Sequence, residues 1–142
     1  MLSSVLAATS AAMKSILIAD DNEWLRKLIG HFLKSTPGYQ VHEAVNGEDA
    51  VYKASELKLD LIILDVAMPK MNGLEAAKKL RQIQVSAPII LFTMYAQELS
   101  QTLVAESGVN AIVPKPDLTA LHRQIEFLLS NRGPARTRSA AM

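Results

Sequence analysis

The sequence predicts an α/β fold, a doubly wound parallel sheet of five strands. Three observations carry that expectation. Short apolar runs recur at 15–19, 39–45, 60–64, 88–92 and 110–113. Each is followed by a stretch with apolar residues at helical spacing. Most of the runs are apolar at successive rather than alternate positions, the pattern of strands covered on both faces. Such strands, separated by helices, make a parallel sheet between two helical layers, wound by right-handed crossovers.

Taken in order, SILIA (15–19) is the first strand. Trp24, Leu25, Leu28, Ile29, Phe32 and Leu33 then mark one face of a helix, which TPGY (36–39) breaks. YQVHEAV (39–45) alternates loosely as the second strand, and 47–58 carries Ala50, Val51, Ala54 and Leu57 at helical spacing. DLIIL (60–64) is the third strand, and Gly73 starts a helix through Leu74, Ala77, Leu80 and Arg81. PIILF (88–92) is the fourth. Residues 96–107, with Leu99, Leu103 and Val104, read as one polar-faced helix stopped by Gly108. NAIV (110–113) is the fifth strand, and 117–130 a last helix through Leu118, Leu121, Ile125 and Leu128.

The chain has 142 residues, 49% of them hydrophobic and 20% charged, an ordinary balance for one globular domain with a real core. It has no Cys, which excludes disulfides and thiolate metal sites and fits a reducing compartment. No stretch approaches the roughly 20 apolar residues that span a bilayer. The net charge of +1 is unevenly spread. Without Arg132, Arg136 and Arg138 there remain 12 Lys and Arg against 14 Asp and Glu, a body of about −2. MLSSVLAATSAA (1–12) is small, apolar and uncharged, without the positive start of a secretory signal. Residues 1–13 therefore read as a disordered extension, 14–130 as the globular domain and 131–142 as a flexible basic tail. Three arginines in such a tail are weak grounds for nucleic-acid binding, which is not expected of this chain alone.

The third strand ends on a charge, in LIILDVAMPKMNG (61–73). Asp is a good turn residue, so Asp65 alone means little. Asp20 and Asp21 follow the first strand, Thr93 the fourth and Lys115 the fifth. Each has an ordinary explanation too; Asp21 or Asn22, for instance, suits a helix cap. Together they put three carboxylates, a hydroxyl and an ammonium on the rim where doubly wound sheets bind ligands. Crowded carboxylates repel unless a cation sits among them, and a hard divalent ion with oxygen ligands, such as Mg²⁺, answers that.

With LIADDN, LDVAMPKMNG, LFT and VPKP in this order, residues 14–130 resemble the receiver domain of bacterial response regulators in two-component (phosphorelay) signalling. The resemblance implies the flavodoxin-like (βα)5 strand order 2-1-3-4-5. It implies that Asp65 takes a phosphoryl group from the histidine of a kinase or phosphotransfer protein. Asp21 directly, Asp20 through water, Asp65 and the backbone carbonyl of Ala67 would hold Mg²⁺. Thr93 and Lys115 would meet phosphoryl oxygens, with a cis Lys115–Pro116 bond aiming the ammonium inward. The face built from 96–130 would bind a downstream protein or a second copy, in the cytoplasm. Such a domain is a switch, not an enzyme beyond its own phosphorylation and dephosphorylation.

One departure from the family stands out. Where the family usually has a switch aromatic, three positions before the Lys, this chain has Ile112, and Tyr95 is the candidate to replace it. Ala67 and Tyr95 also occupy the positions that tune water access, which implies a long-lived phosphoryl group. Competing readings are a haloacid dehalogenase-type phosphatase, a docking surface that takes no phosphate, and the N-terminal receiver fragment of a longer DNA-binding regulator. The first expects Asp-x-Asp after its first strand, where this chain has adjacent Asp20 and Asp21.

Overall fold

The computed structural model describes residues 13–130. The expectations for the extension and the basic tail fall on 1–12 and 131–142, outside the described residues. Five strands alternate with five helices: β1 (Lys14–Ala19), α1 (Glu23–Lys34), β2 (Tyr39–Ala44), α2 (Gly47–Glu56), β3 (Leu61–Leu64), α3 (Gly73–Gln82), β4 (Ile89–Thr93), α4 (Gln101–Ser107), β5 (Ala111–Pro114) and α5 (Leu118–Ser130). The sheet is parallel throughout, in the order β2-β1-β3-β4-β5.

Period-two alternation divides the apolar strands between two cores. Ile16 and Ile18, Leu61 and Ile63, and Ile90 and Phe92 meet Ile29 and Leu33 of α1 and Leu121 and Ile125 of α5. Leu17 and Ala19, Ile62 and Leu64, and Ile89 and Leu91 face Ala50 and Ala54 of α2 and Ala76, Ala77 and Leu80 of α3. Small residues on α2 and α3 let those helices lie close to the sheet. Both faces of β1, β3 and β4 are thus buried, which is why their sequences are unbroken apolar runs.

Asparagine starts three helices. Asn22, Asn46 and Asn72 accept hydrogen bonds from the backbone N–H groups of Leu25 (3.1 Å), Asp49 (2.8 Å) and Glu75 (2.9 Å). At α3 the Glu75 carboxylate returns the contact to the Asn72 N–H at 3.0 Å, completing a capping box. Asn22, and not Asp21, is therefore the cap of α1, which leaves Asp21 free for the rim.

Two sequence expectations need correction. Residues 96–107 are not one helix. A 3-10 turn covers Ala96–Glu98, and Ser100 then opens α4 by accepting from the Leu103 N–H at 3.1 Å. The apolar spacing of Leu99, Leu103 and Val104 spans this break because it reports a face, not a continuous backbone. The apolar face of α1 is also narrower than its spacing suggested. Trp24 is 73% exposed and Leu28 40%, while Arg26 is turned inward with Ile29 and Leu33.

At the end of the sheet away from the rim, Arg81 ties α3 to the β4–β5 region. Its Nε and Nη2 donate to the Gly108 carbonyl at 3.0 and 2.9 Å, and Nη1 to the carbonyls of Val85 (2.7 Å) and Ala87 (2.8 Å). Nη2 also reaches Asn110 Oδ1 at 3.0 Å, which in turn accepts from the Ile89 N–H at 2.8 Å. Gly108 has a left-handed backbone (φ +82°), and a Cβ there would lie 2.7 Å from Arg81 Cγ.

Candidate functional site

The rim residues are placed by the last rungs of the sheet. The Asp20 N–H donates to the Ala44 carbonyl (3.2 Å), the Asp65 N–H to Ala19 (3.0 Å) and the Lys115 N–H to Thr93 (3.0 Å). Strand pairing thus continues one residue past β1, β3 and β5, and each polar side chain is carried on rigid backbone. Asp20 is 2% exposed and Asp65 8%, while Asp21 faces solvent. One carboxylate oxygen from each of Asp20, Asp21 and Asp65 lies within 4.8 Å of the others.

The cation that such a cluster needs is supplied first by the chain itself. Lys115 Nζ sits 2.6 Å from Asp20 Oδ2 and 3.0 Å from Asp65 Oδ2, and its side chain is only 5% exposed. Its peptide bond to Pro116 is cis. The other Asp20 oxygen, Oδ1, accepts from the Asn22 N–H at 2.9 Å. Two oxygens of Asp20 are therefore held by two donors. The three carboxylates remain an all-oxygen donor set with one member, Asp21, open to water. That chemistry fits a hard divalent cation.

Thr93 is fully buried at the end of β4, and its hydroxyl oxygen accepts from the Tyr95 N–H at 3.1 Å. Its hydroxyl is thereby coupled to the backbone of the next loop. Tyr95 itself is exposed, and Ile112 is half-buried against the core that contains Leu91. Ala67 is exposed in the loop after Asp65.

That loop is shaped by close approach on two sides. The Gly73 N–H donates to the Val66 carbonyl at 3.0 Å, and a Cβ on Gly73 would overlap the Asp65 carbonyl oxygen. A Cβ on Gly47, at the start of α2, would overlap the Met71 carbonyl oxygen. Between them Lys70 takes φ +69°, bracketed by a 2.7 Å bond from the Met71 N–H to the Pro69 carbonyl. The γ-turn this makes is uncommon for a residue with a side chain.

The residue spacing alone missed what lies behind Asp20. Arg26, buried on α1, donates through Nη1 to the Asp20 carbonyl at 2.7 Å and through Nε to Glu43 Oε1 at 2.8 Å. Lys27 reaches the other Glu43 oxygen at 3.3 Å from the solvent side. Burial works to raise the Glu43 carboxyl, but hydrogen bonds from Arg26 and Lys27 and their charges outweigh it and hold it below the ordinary carboxylate range. The available signal was a charged residue three and seven positions before Ile29 and Leu33, on their face of the helix.

The sequence model of the response regulator receiver domain matches residues 16–126. The chain belongs to that family. As a receiver domain it is 35% identical over 104 residues to the chemotaxis protein CheY of Thermotoga maritima, covering 72% of this chain and 86% of that one. It is 40% identical over 103 residues to the alkaline phosphatase synthesis transcriptional regulatory protein PhoP of Bacillus subtilis, covering 72% of this chain and 42% of that one. The chain thus spans less than half of that regulator's length. A crystal structure of the response regulator TrrA from Thermotoga maritima, in complex with Mg²⁺-BeF, superposes with a TM-score of 0.76. The two are 35% identical, and the match covers 82% of this chain and all of that one. The receiver match takes the place of the phosphatase reading. No described helix is long and apolar enough to cross a membrane.

Proposed function

We propose that this receiver domain is a phosphorylation-controlled switch whose acceptor is Asp65. The observation that carries the reading is the convergence of Asp20, Asp21 and Asp65 on one point, with the Lys115 ammonium already bonded to two of them. A carboxylate oxygen of Asp65 attacks the phosphorus of a phosphohistidine on a kinase or phosphotransfer protein. The new P–O bond forms as the P–N bond breaks, and the electron pair leaves on the imidazole nitrogen. Asp20, Asp21, Asp65 and the carbonyl of Ala67 would hold Mg²⁺, which when bound supplies positive charge against the carboxylates and the phosphoryl oxygens.

The chain's own residues do the rest. Lys115 begins on the acceptor carboxylate, so its ammonium needs only a short movement to pair with a phosphoryl oxygen. Thr93 donates its hydroxyl proton to another. Because its oxygen accepts from the Tyr95 N–H, that movement draws on the Tyr95 backbone. Ile112 can only fill space with apolar atoms, so the shift between states is modest, bounded by the differential affinity of the two conformations for phosphate. The output surface in this reading is the face of 96–130, where Leu103 is exposed for a downstream protein or a second copy of the chain. Ala67 can orient no water and Tyr95 is bulky enough to block its path, which favours a long-lived phosphoryl group. The proposed location is the cytoplasm, with the kinase.

A second reading, the N-terminal receiver of a longer DNA-binding regulator, is favoured by the 42% coverage of PhoP. The size of the full-length product in its own cells separates the two. The main reading is tested by intact mass after incubation with acetyl phosphate and Mg²⁺. One hydroxylamine-labile phosphoryl group is expected on the parent and none on Asp65→Asn. Labelling of the Asn variant at the parent's rate would overturn the assignment.

A further inference from the structure

We infer that Arg26 is a positioning residue for the acidic cluster, fixing the Asp20 backbone so that its carboxylate is set for a cation. The inference rests on the metal-binding reading of the preceding subsection. The Asp20 peptide is held from both sides: its N–H by the Ala44 carbonyl at 3.2 Å and its carbonyl by Arg26 Nη1 at 2.7 Å. Beyond it the chain leaves the sheet to start α1, so this carbonyl marks the point where strand geometry would otherwise end. Arg26 is itself 6% exposed and anchored by Glu43 of β2.

A guanidinium is suited to this task because its planar fork serves two acceptors at once. Nε meets a carboxylate and Nη1 a carbonyl in one rigid group, which links β2, α1 and the β1 rim. A buried cation joined only to Glu43 would be a structural ion pair. The bond to the Asp20 carbonyl makes it more, since Asp20 Oδ2 and Oδ1 are aimed from that same peptide at Lys115 and Asn22. Without Arg26 the Asp20 carboxylate would have to be ordered on binding, and the cation's affinity would fall. Partners that orient a ligand without touching the metal commonly matter by on the order of tenfold or more in affinity.

The test compares Mg²⁺ affinity by calorimetric titration in the parent, Arg26→Met, Arg26→Lys and Lys27→Ala. Each is titrated at a temperature where its melting curve shows it folded. Arg26→Met is expected to bind Mg²⁺ about tenfold more weakly. Arg26→Lys keeps a charge for Glu43 but cannot serve both acceptors, and it should lose about threefold, between parent and Met variant. Lys27→Ala removes the other Glu43 partner and should bind as the parent does. If Arg26→Met does not fold, Arg26→Lys decides. Arg26 variants that melt earlier yet bind Mg²⁺ with the parent's constant would show a structural role alone and overturn the inference. A parent chain that binds no Mg²⁺ would overturn the preceding reading and this one together, whereas binding equal in parent and Arg26 variants overturns only this one.

Discussion

Strands β4 and β5 have very different ends. At one, Lys115 meets carboxylates, Thr93 holds the next loop, and an acidic residue stands open to water. At the other, Arg81 donates to the neutral carbonyls of Val85, Ala87 and Gly108 and to Asn110. Both are basic groups set among fixed oxygens, but the oxygens differ. Carboxylates that face an ammonium can exchange one cation for another. Carbonyls satisfied by a guanidinium have nothing further to attract, so that end is a fastening and the rim is the candidate site.

The sharpest way to break this comparison is to remove each cation and add Mg²⁺. Lys115→Ala leaves two buried carboxylates without their partner and should cost about 3 kcal/mol in metal-free buffer. Saturating Mg²⁺ should return much of that loss, because binding to the native state alone stabilises it. Chemical denaturation with and without Mg²⁺ measures both numbers, and a loss that Mg²⁺ does not reduce would remove the distinction between the ends. Arg81→Ala should cost about 2–3 kcal/mol through lost hydrogen bonds, with the same value in either buffer.

Gly108→Ala sharpens the fastening further. The left-handed backbone and the close approach of Arg81 should together cost about 1–2 kcal/mol. In an Arg81→Ala background the steric part vanishes, so the two substitutions should sum to less than their separate effects. Strict additivity would mean that the Arg81 side chain does not press on Gly108.

The smallest expected effect concerns pH at the support behind the rim. Glu43 titrates below its ordinary value when folded, so its contribution is complete above pH 4.5 and is lost as pH falls through the lower folded value. Glu43→Gln should therefore lower stability slightly at pH 7 and flatten its decline below pH 4.5. Parallel curves for parent and variant over that range would count against the pairing with Arg26.

These two ends were not equally legible in the sequence. Burial on both faces forces unbroken apolar runs, so β1, β3 and β4 were readable, and a charge that ends such a run has to lie on the rim. Asp20 and Asp65 were found that way, Thr93 as the hydroxyl that ends β4, and Lys115 by its place after β5. The Arg81 fastening was hidden because its acceptors are backbone carbonyls, which every residue has, and Gly108 is 27 positions away. Arg81 even appeared in the helical spacing of α3 as one more member of a pattern. The break at Ser100 and the outward turn of Trp24 and Leu28 were missed for a related reason: spacing gives the direction of a face, while its width and continuity depend on neighbours far along the chain. Arg26 carried a signal, a charge on an apolar face, but its partner Glu43 lies on another element.

The two glycines that press on the loop after Asp65 have a consequence for any genetic screen of this protein. Gly47 and Gly73 present no side chain to the chemistry, yet each fills a place where one added carbon would strike the Met71 or Asp65 carbonyl. In a saturation library selected for signalling, both positions should reject every substitution as firmly as Asp65, the proposed acceptor, does. The apparent active site drawn from such a map would extend to the start of α2, and sorting the survivors by protein abundance would separate the two classes. If Asp65 is the acceptor proposed above, its variants should accumulate as folded, silent protein, whereas variants of the glycines should disappear.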